Sequence, residues 1–387
     1  MKIVHLCLSN FYIDGYAYQE NQLVAQNVAD GHSVTVIASL ETFDKDNKSI
    51  IYLKPGDYLG TDGARVIRLP YRSFLPSFIM KKLRIHPGVF ALLDVLRPDI
   101  VLFHGTCGWE LNTVSNYKKL NPQLRFFVDS HEDFNNSART FTSKWLLHYL
   151  YYRLILRRNI NSICKVLCVN VAAMQFIGDF YGIPQPKIEF YPLGGQLPSD
   201  AEYSITRNET RAMRDLHAND ILFVQSGKLD RTKKLLESIH AFSQTKNRNF
   251  RFVVCGQLLD DIADEAISLI SKDSRISFEG WKTSLELQSL LCAADIYVQP
   301  GTQSATMQMS LCCRCVVVLD DVPSHKPFIN ENGWLVGPHV SLPDVFFEIE
   351  DSLQNLPAMA ARSSEIASRL LDYKNLAKRL YGDYGSQ

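Results

Sequence analysis

The stretch Ile221-Leu222-Phe223-Val224-Gln225-Ser226-Gly227-Lys228-Leu229-Asp230-Arg231-Thr232-Lys233-Lys234 runs from an apolar segment through a glycine into a cluster of cations. An apolar run of this length suits a strand over 221–225 buried on both faces of a sheet. Gly227 lets the chain turn sharply, and a helix placed directly after the turn offers free N–H groups and the positive end of its dipole to an anion. Lys228 and Lys233 add full charges at a spacing that brackets a diphosphate. A solvated basic helix start is the alternative reading of the same residues.

Outward from this point, short Val- and Ile-rich runs recur at 250–254, 276–278, 296–298 and 316–319. An earlier series lies at 2–8, 33–38, 100–103, 124–128 and 165–169. Segments of helical length separate them, which is the rhythm of parallel, doubly wound α/β sheets. Between the two series, Pro192, Leu193, Gly194 and Gly195 open a polar stretch without apolar periodicity up to about Ala218, read as a linker. The expected division is an N-terminal Rossmann-like domain over 1–192 and a second over 193–362, with ligands at the carboxyl ends of the strands in a cleft between them. Residues 363–387 carry helical periodicity from Ser363 to Tyr381 and are expected to pack back on the first domain.

A chain of 387 residues exceeds one hydrophobic core, in keeping with two domains. Lys plus Arg and Asp plus Glu both number 41, so no overall field steers the molecule toward nucleic acid. Locally the balance breaks: Arg65 to Lys165 holds 16 Lys or Arg against six Asp or Glu. Such a surplus suits an anionic membrane or a phosphorylated acceptor. Phe74, Leu75, Phe78 and Ile79 beside Lys81, Lys82 and Arg84 form the expected acceptor or membrane edge, with an ordinary surface helix as the alternative. Trp145 to Leu156 is too short to span a membrane and is read as a core helix, a membrane-surface helix being the other choice. Met1 leads straight into the strand at Lys2 without a signal-peptide pattern, so the nine cysteines are expected as reduced thiols in the cytoplasm. Cys312, Cys313 and Cys315 lack a second ligand pair at zinc spacing and read as buried thiols.

Gly227-Lys228-Leu229, followed after three residues by Lys233, resembles the Gly-Arg-Leu-x-x-x-Lys segment of glycosyltransferase family 4. The resemblance extends in order along nearly the whole chain. Gly15 and Tyr16 after the first strand are similar to the family's glycine loop. Gly31-His32-Ser33-Val34-Thr35-Val36 resembles its Gly-His-x-Val-Thr-Val strand, and Ala294-Asp295 with Pro300 its Ala-Asp-x-x-x-x-Pro strand. The resemblance implies the GT-B fold: two Rossmann-like domains facing across a cleft. It implies a nucleoside diphosphate sugar as donor, UDP or GDP being expected, with Lys228, Lys233 and Gly15 at the diphosphate. Lys228 replaces the usual Arg, so one point contact is expected there in place of a bidentate one.

His131 is implied beside the transferred sugar, with Glu132 as an acceptor-side base; a lone histidine is otherwise more often structural. Asp129 and Asp133 could suggest a metal, but the resemblance implies none. His104 and Tyr16 are placed on the acceptor side. Trp281 and Lys282, after Phe278-Glu279-Gly280, are similar to the segment that lies against the base, while core packing is the other reading of the indole.

The main departure follows Pro300: Gly301-Thr302-Gln303-Ser304-Ala305-Thr306-Met307-Gln308 lacks both glutamates of the family's Glu, seven residues, Glu motif. Gln308 falls at the ribose position, and the amides of Ser304, Ala305 and Thr306 are expected at the phosphates. The resemblance implies glycosyl transfer with retention, with no cofactor. A nucleotide-sugar epimerase and an inactive nucleotide- or partner-binding scaffold are the rival readings, the loss of both glutamates favouring the latter.

Overall fold

The computed structural model describes residues 1–44, 49–134, 136–302 and 304–382. The chain divides into two compact units, Met1–Pro192 with Leu376–Gln387, and Leu193–Asn375. The first unit holds β1 (Lys2–Cys7), β2 (Ser33–Ser39), β3 (Glu41–Phe43), β4 (Ile50–Tyr52), β5 (Gly56–Leu59), β6 (Arg65–Leu69), β7 (Ile100–Phe103), β8 (Arg125–Ser130), β9 (Val166–Cys168) and β10 (Ile188–Phe190). Eight of these form one sheet in the order β10-β9-β8-β7-β1-β2-β6-β5, and β3 with β4 forms a separate hairpin. Only β5 runs antiparallel to its neighbour in the large sheet. β7 is buried throughout, as apolar strands covered by helices on both faces must be.

The second unit holds β11 (Ile221–Leu229), β12 (Phe250–Leu258), β13 (Ile276–Phe278), β14 (Ile296–Gln299), β15 (Val316–Asp320) and β16 (Gly333–Val336), all parallel. Their order is β13-β12-β11-β14-β15-β16. The direction of winding reverses between β11 and β14, and that crevice is where open α/β sheets receive ligands. In the first sheet the same reversal lies between β1 and β7.

Several sequence expectations are corrected. β11 does not stop at Gln225; Ser226 to Leu229 continue in register with Cys255 to Leu258 because Leu229 is drawn into the core. The helix that follows starts only at Leu235, after a 3₁₀ turn at Arg231–Lys233 and a left-handed Lys234 at φ 53°. Lys228 and Lys233 therefore sit on a strand end and a turn, and not on a first helical turn.

The stretch read as linker contains the helix Asp200–Met213, started by a capping box between Ser199 and Glu202. Its inward face is made of arginines. Arg207 bonds the carbonyls of Cys292, Ala293 and Ala294, the open end of the helix Ser284–Ala293, and Arg211 bonds those of Ala293, His217 and Asp220. Both cations meet Asp295. A boundary at 362/363 falls inside the helix Leu356–Leu370, and the helical signal ends there and restarts as Tyr373–Tyr381. Within the first unit, Tyr191 donates to the Leu376 carbonyl, and Arg379 bonds Glu189 and the Phe190 carbonyl beside the edge strand β10.

Trp145 to Leu156 is not a plain core helix. A π-helix covers Ser143–Tyr152 and continues as an α-helix over Arg153–Asn159. His148, Tyr152, Ile155 and Leu156 turn inward, while Trp145, Leu146, Leu150 and Leu154 remain exposed. Among the described residues, no helix is long and apolar enough to cross a membrane.

Candidate functional site

In the second unit, a pocket of about 260 Å³ opens at the carboxyl ends of β11 and β12, lined among others by Ser226, Gly227, Gly256, Trp281, Lys282 and Thr306. Its floor demands glycine. Gly227 and Gly256 have φ of 137° and 120°, and a Cβ on Gly256 would stand 2.0 Å from the Gly227 carbonyl oxygen. Two extended strands thus come together with no side chain between them, leaving room for a ligand.

Trp281 is 67% exposed at the rim, which excludes the core reading of the indole. The loop that carries it is fixed by Glu279, which accepts two hydrogen bonds from Arg214 at 2.6 and 2.9 Å and pairs with Lys282 at 3.0 Å. Arg214 is the main reason that the Glu279 carboxyl is held down at about 2. Lys282 is therefore committed to Glu279 as well as lining the pocket.

The opposite wall is the start of the helix Ala305–Cys312. Ser304 caps it by accepting from the Met307 amide, while Ala305 and Thr306 stand at its open end, where N–H groups have no partner inside the helix. Ser304 Oγ donates to Gln299 Oε1 at 2.6 Å, and Tyr297 OH donates to the same oxygen at 3.1 Å. The Tyr297 hydroxyl also lies 3.3 Å from Ser226 Oγ. Burial holds the phenol up at about 12, so it stays a donor. This chain ties the helix start to the pocket floor. The sequence reading missed it, and the polar alternation of Tyr297 and Gln299 in an apolar strand was the one available signal.

Lys233 reaches the same region, its Nζ donating to the Thr302 carbonyl at 2.8 Å. Burial lowers its ammonium below the usual value. Backbones interlock here: Thr302 N donates to the Thr232 carbonyl, and a Cβ on Gly301 would meet that oxygen at 2.1 Å. The loops after β11 and β14 are thereby stitched together. Lys228 is exposed and does not line the pocket. Gln308 is buried, with its Oε1 making no hydrogen bond. Gln303 lies outside the described residues.

In the first unit, His131 follows β8 and is partly exposed, with Nε2 3.8 Å from Asp129 Oδ1. Glu132 turns inward: Oε1 accepts from the Thr106 amide, and Oε2 accepts from Ser130 Oγ and the His131 amide. Its carboxylate thus ties the loop after β7 to the loop after β8. Gly15, at φ 78°, and Tyr16 lie in the turn before the helix Gln19–Ala29, Gly15 facing open space.

His104, expected on the acceptor side, is instead fully buried. Its Nδ1 lies 2.5 Å from Asp129 Oδ2 and its Nε2 2.9 Å from His5 Nδ1. His5 Nε2 lies 2.8 Å from Asn27 Nδ2, and Asn27 Oδ1 accepts from the Tyr381 hydroxyl. Because β8, β7 and β1 are neighbours, three side chains far apart in sequence form one polar line across the sheet. Burial alone would lower the His104 imidazole, but Asp129 outweighs it and holds it above its usual value. Burial and His104 together keep His5 neutral, and Asp129 is held below the usual carboxylate range.

Residues 218–354 match the family model described as Glycosyl transferases group 1. No curated protein sequence matches the chain. Among solved structures, the chain is similar to a glycosyltransferase from Rickettsia africae, at 13% identity and a TM-score of 0.67 over 99% of this chain and 97% of that one. It is also similar to Anabaena Alr3699/HepE in complex with UDP, at 16% identity and 0.65 over 98% of each chain. WaaG, a glycosyltransferase involved in lipopolysaccharide biosynthesis, gives 16% and 0.62 over 98% of this chain and 100% of that one. These likenesses establish the GT-B fold over the length of the chain.

Proposed function

We propose, from the group 1 glycosyl transferase character of residues 218–354, that the protein transfers a sugar from a nucleoside diphosphate donor to a hydroxyl of a saccharide or lipid-linked saccharide. UDP or GDP carries the sugar, the anomeric configuration is retained, no metal is required, and the reaction serves cell-surface polysaccharide synthesis at the cytoplasmic face of a membrane. The observation that carries this reading is the pocket that joins the Gly227 and Gly256 floor, the exposed Trp281 and Thr306 at an open helix end, with Lys233 held nearby by its bond to Thr302. Trp281 offers a face to the base, and the positive charge of Lys233 with the two amides of Ala305 and Thr306 attracts the diphosphate. Gln308 Oε1 accepts from a ribose hydroxyl in place of a carboxylate.

In transfer, the bond from the anomeric carbon to the diphosphate oxygen breaks and a bond to the acceptor oxygen forms. The acceptor proton passes to the departing phosphate. Negative charge grows on that phosphate, so the half-buried Lys233 ammonium and the helix end contribute most where they are dry and already in position. No enzyme nucleophile is needed, in keeping with a Glu132 carboxylate already engaged by loop donors.

Isothermal titration of UDP, GDP, ADP and CMP tests the reading. One diphosphate is expected to bind, and Lys233→Ala to weaken it by about 1–3 kcal/mol with an unchanged melting temperature, as for a hydrogen bond to a charged group. Equal affinity in the variant would move the phosphate site elsewhere. The absence of both motif glutamates favours a second reading, a nucleotide-binding scaffold without turnover. Product analysis with radiolabelled donor separates the two, since a scaffold binds and yields no glycoside.

A further inference from the structure

The first unit carries an exposed apolar stripe that its own fold leaves uncovered. Phe141, Trp145, Leu146, Leu150 and Leu154 are between 41% and 77% exposed. Trp145, Leu150 and Leu154 follow at five and four residues along the π-helix Ser143–Tyr152, whose turn is wider than an α-helical one, and the α-helix that continues it, with Leu146 beside Trp145 and Phe141 just ahead. The opposite face, with His148, Tyr152, Ile155 and Leu156, is already spent on the core. The stripe is therefore a second apolar surface of the same element. Large apolar residues in a continuous exposed band mark a contact with something else.

The charge around the stripe says what kind of surface covers it. From Arg139 to Lys165 there are six cations, Arg139, Lys144, Arg153, Arg157, Arg158 and Lys165, and not one Asp or Glu. Arg157 and Arg158 are exposed at the end of the stripe. A second exposed apolar segment is held to the same helix: Tyr151 and Tyr152 donate to the carbonyls of Leu83 and Lys82, at the end of the helix Ser77–Leu83 that carries the exposed Phe78. Phe74 to Arg84 likewise holds three cations and no acid. Aromatic and leucine side chains with only cations among their charged neighbours in sequence suit the boundary of an anionic bilayer, where the rings enter the acyl edge and the cations meet phosphates.

We infer that the stripe from Phe141 to Leu154 is the face by which the protein docks on an anionic lipid bilayer, with the segment around Phe78 as a second apolar contact held to the same helix. The inference deepens the membrane side of the reading above and rests on it only for the place of the acceptor. The stripe is the anchor and the arginines select the lipid.

Vesicle co-sedimentation of the full chain tests this. Vesicles of phosphatidylglycerol are expected to bring down the protein, pure phosphatidylcholine vesicles much less, and raised salt to release it. Leu146→Glu with Leu150→Glu removes the anchor, and Arg157→Glu with Arg158→Glu removes the charge attraction; each pair is expected to weaken binding about tenfold or more. All four positions are exposed, so far-ultraviolet dichroism and melting should not change, and nucleotide binding by titration should be retained. A protein that ignores anionic vesicles, or variants that bind them as well as the parent, would overturn the inference. So would sedimentation velocity showing that the stripe joins two copies of the chain while vesicles stay bare. Loss of nucleotide binding in the unmodified protein would count against the transferase reading alone.

Discussion

Asp129 is the residue on which the first unit's polar core turns. It receives His104 on one oxygen and the Gly105 amide on the other, at 2.5 and 2.7 Å, and His131 lies 3.8 Å away. Replacing it by Ala leaves a buried imidazole without its acceptor, and the expected loss is about 3–5 kcal/mol in urea unfolding. The pair also gives stability a pH dependence. His104 is raised in the folded state, so its contribution is fully present below about 6.5, the unfolded value, and is lost as pH rises through the folded value. His104→Gln should therefore cost most at mildly acidic pH, with the difference from the parent shrinking toward alkaline pH. A difference that grows with pH would contradict the assignment. None of this was legible in the sequence, because His5, His104 and Asp129 meet only once β1, β7 and β8 lie side by side. His131 and Glu132 could be found by their place at a strand end, but not the fact that Glu132 spends its carboxylate on loop donors.

Elements differ in how much of their own placement they write into sequence. β7 ends where its apolar run ends, because a strand buried on both faces needs nothing but apolar residues. The helix Asp200–Met213 was hidden for the opposite reason. Its buried face consists of arginine stems whose heads find carbonyls 80 or more residues away, so no apolar period exists to be read. Its capping box, Ser199 to Glu202, was the signal that remained. Arg211 is the key contact, bonding the carbonyls of Ala293, His217 and Asp220 while largely buried. Arg211→Ala strands those acceptors and half of the Asp295 pairing. A loss of about 3 kcal/mol or more is expected in the unfolding midpoint, whereas a change under about 1 kcal/mol would mean that water replaces the guanidinium freely. The π-helix shows the same limit from another side. A run of Trp, Leu and Tyr reads as core, and only the wider turn and the tyrosine bonds to Leu83 and Lys82 decide which of them face outward.

At the scale of the molecule, two Rossmann-like units each close their own core, and each has a winding reversal at which a ligand crevice forms. The sequence announced this by restarting its series of strands after Pro192, and the strand-glycine-cation stretch at 221–234 located the crevice of the second unit. It did not show that the extended strand keeps Lys228 out of the pocket while the turn at Lys234 brings Lys233 to Thr302. An even charge total hides a basic, acid-free segment in the first unit, so the composition of the whole says little about what each unit meets. The nucleotide site of the second unit is the claim from which the rest follows. A crystal structure of the protein soaked with UDP or GDP tests it most directly. The account predicts the base beside Trp281 over Gly227 and Gly256, and the diphosphate on Lys233 and the amides of Ala305 and Thr306. A nucleotide bound elsewhere, or none bound at millimolar concentration, would contradict it.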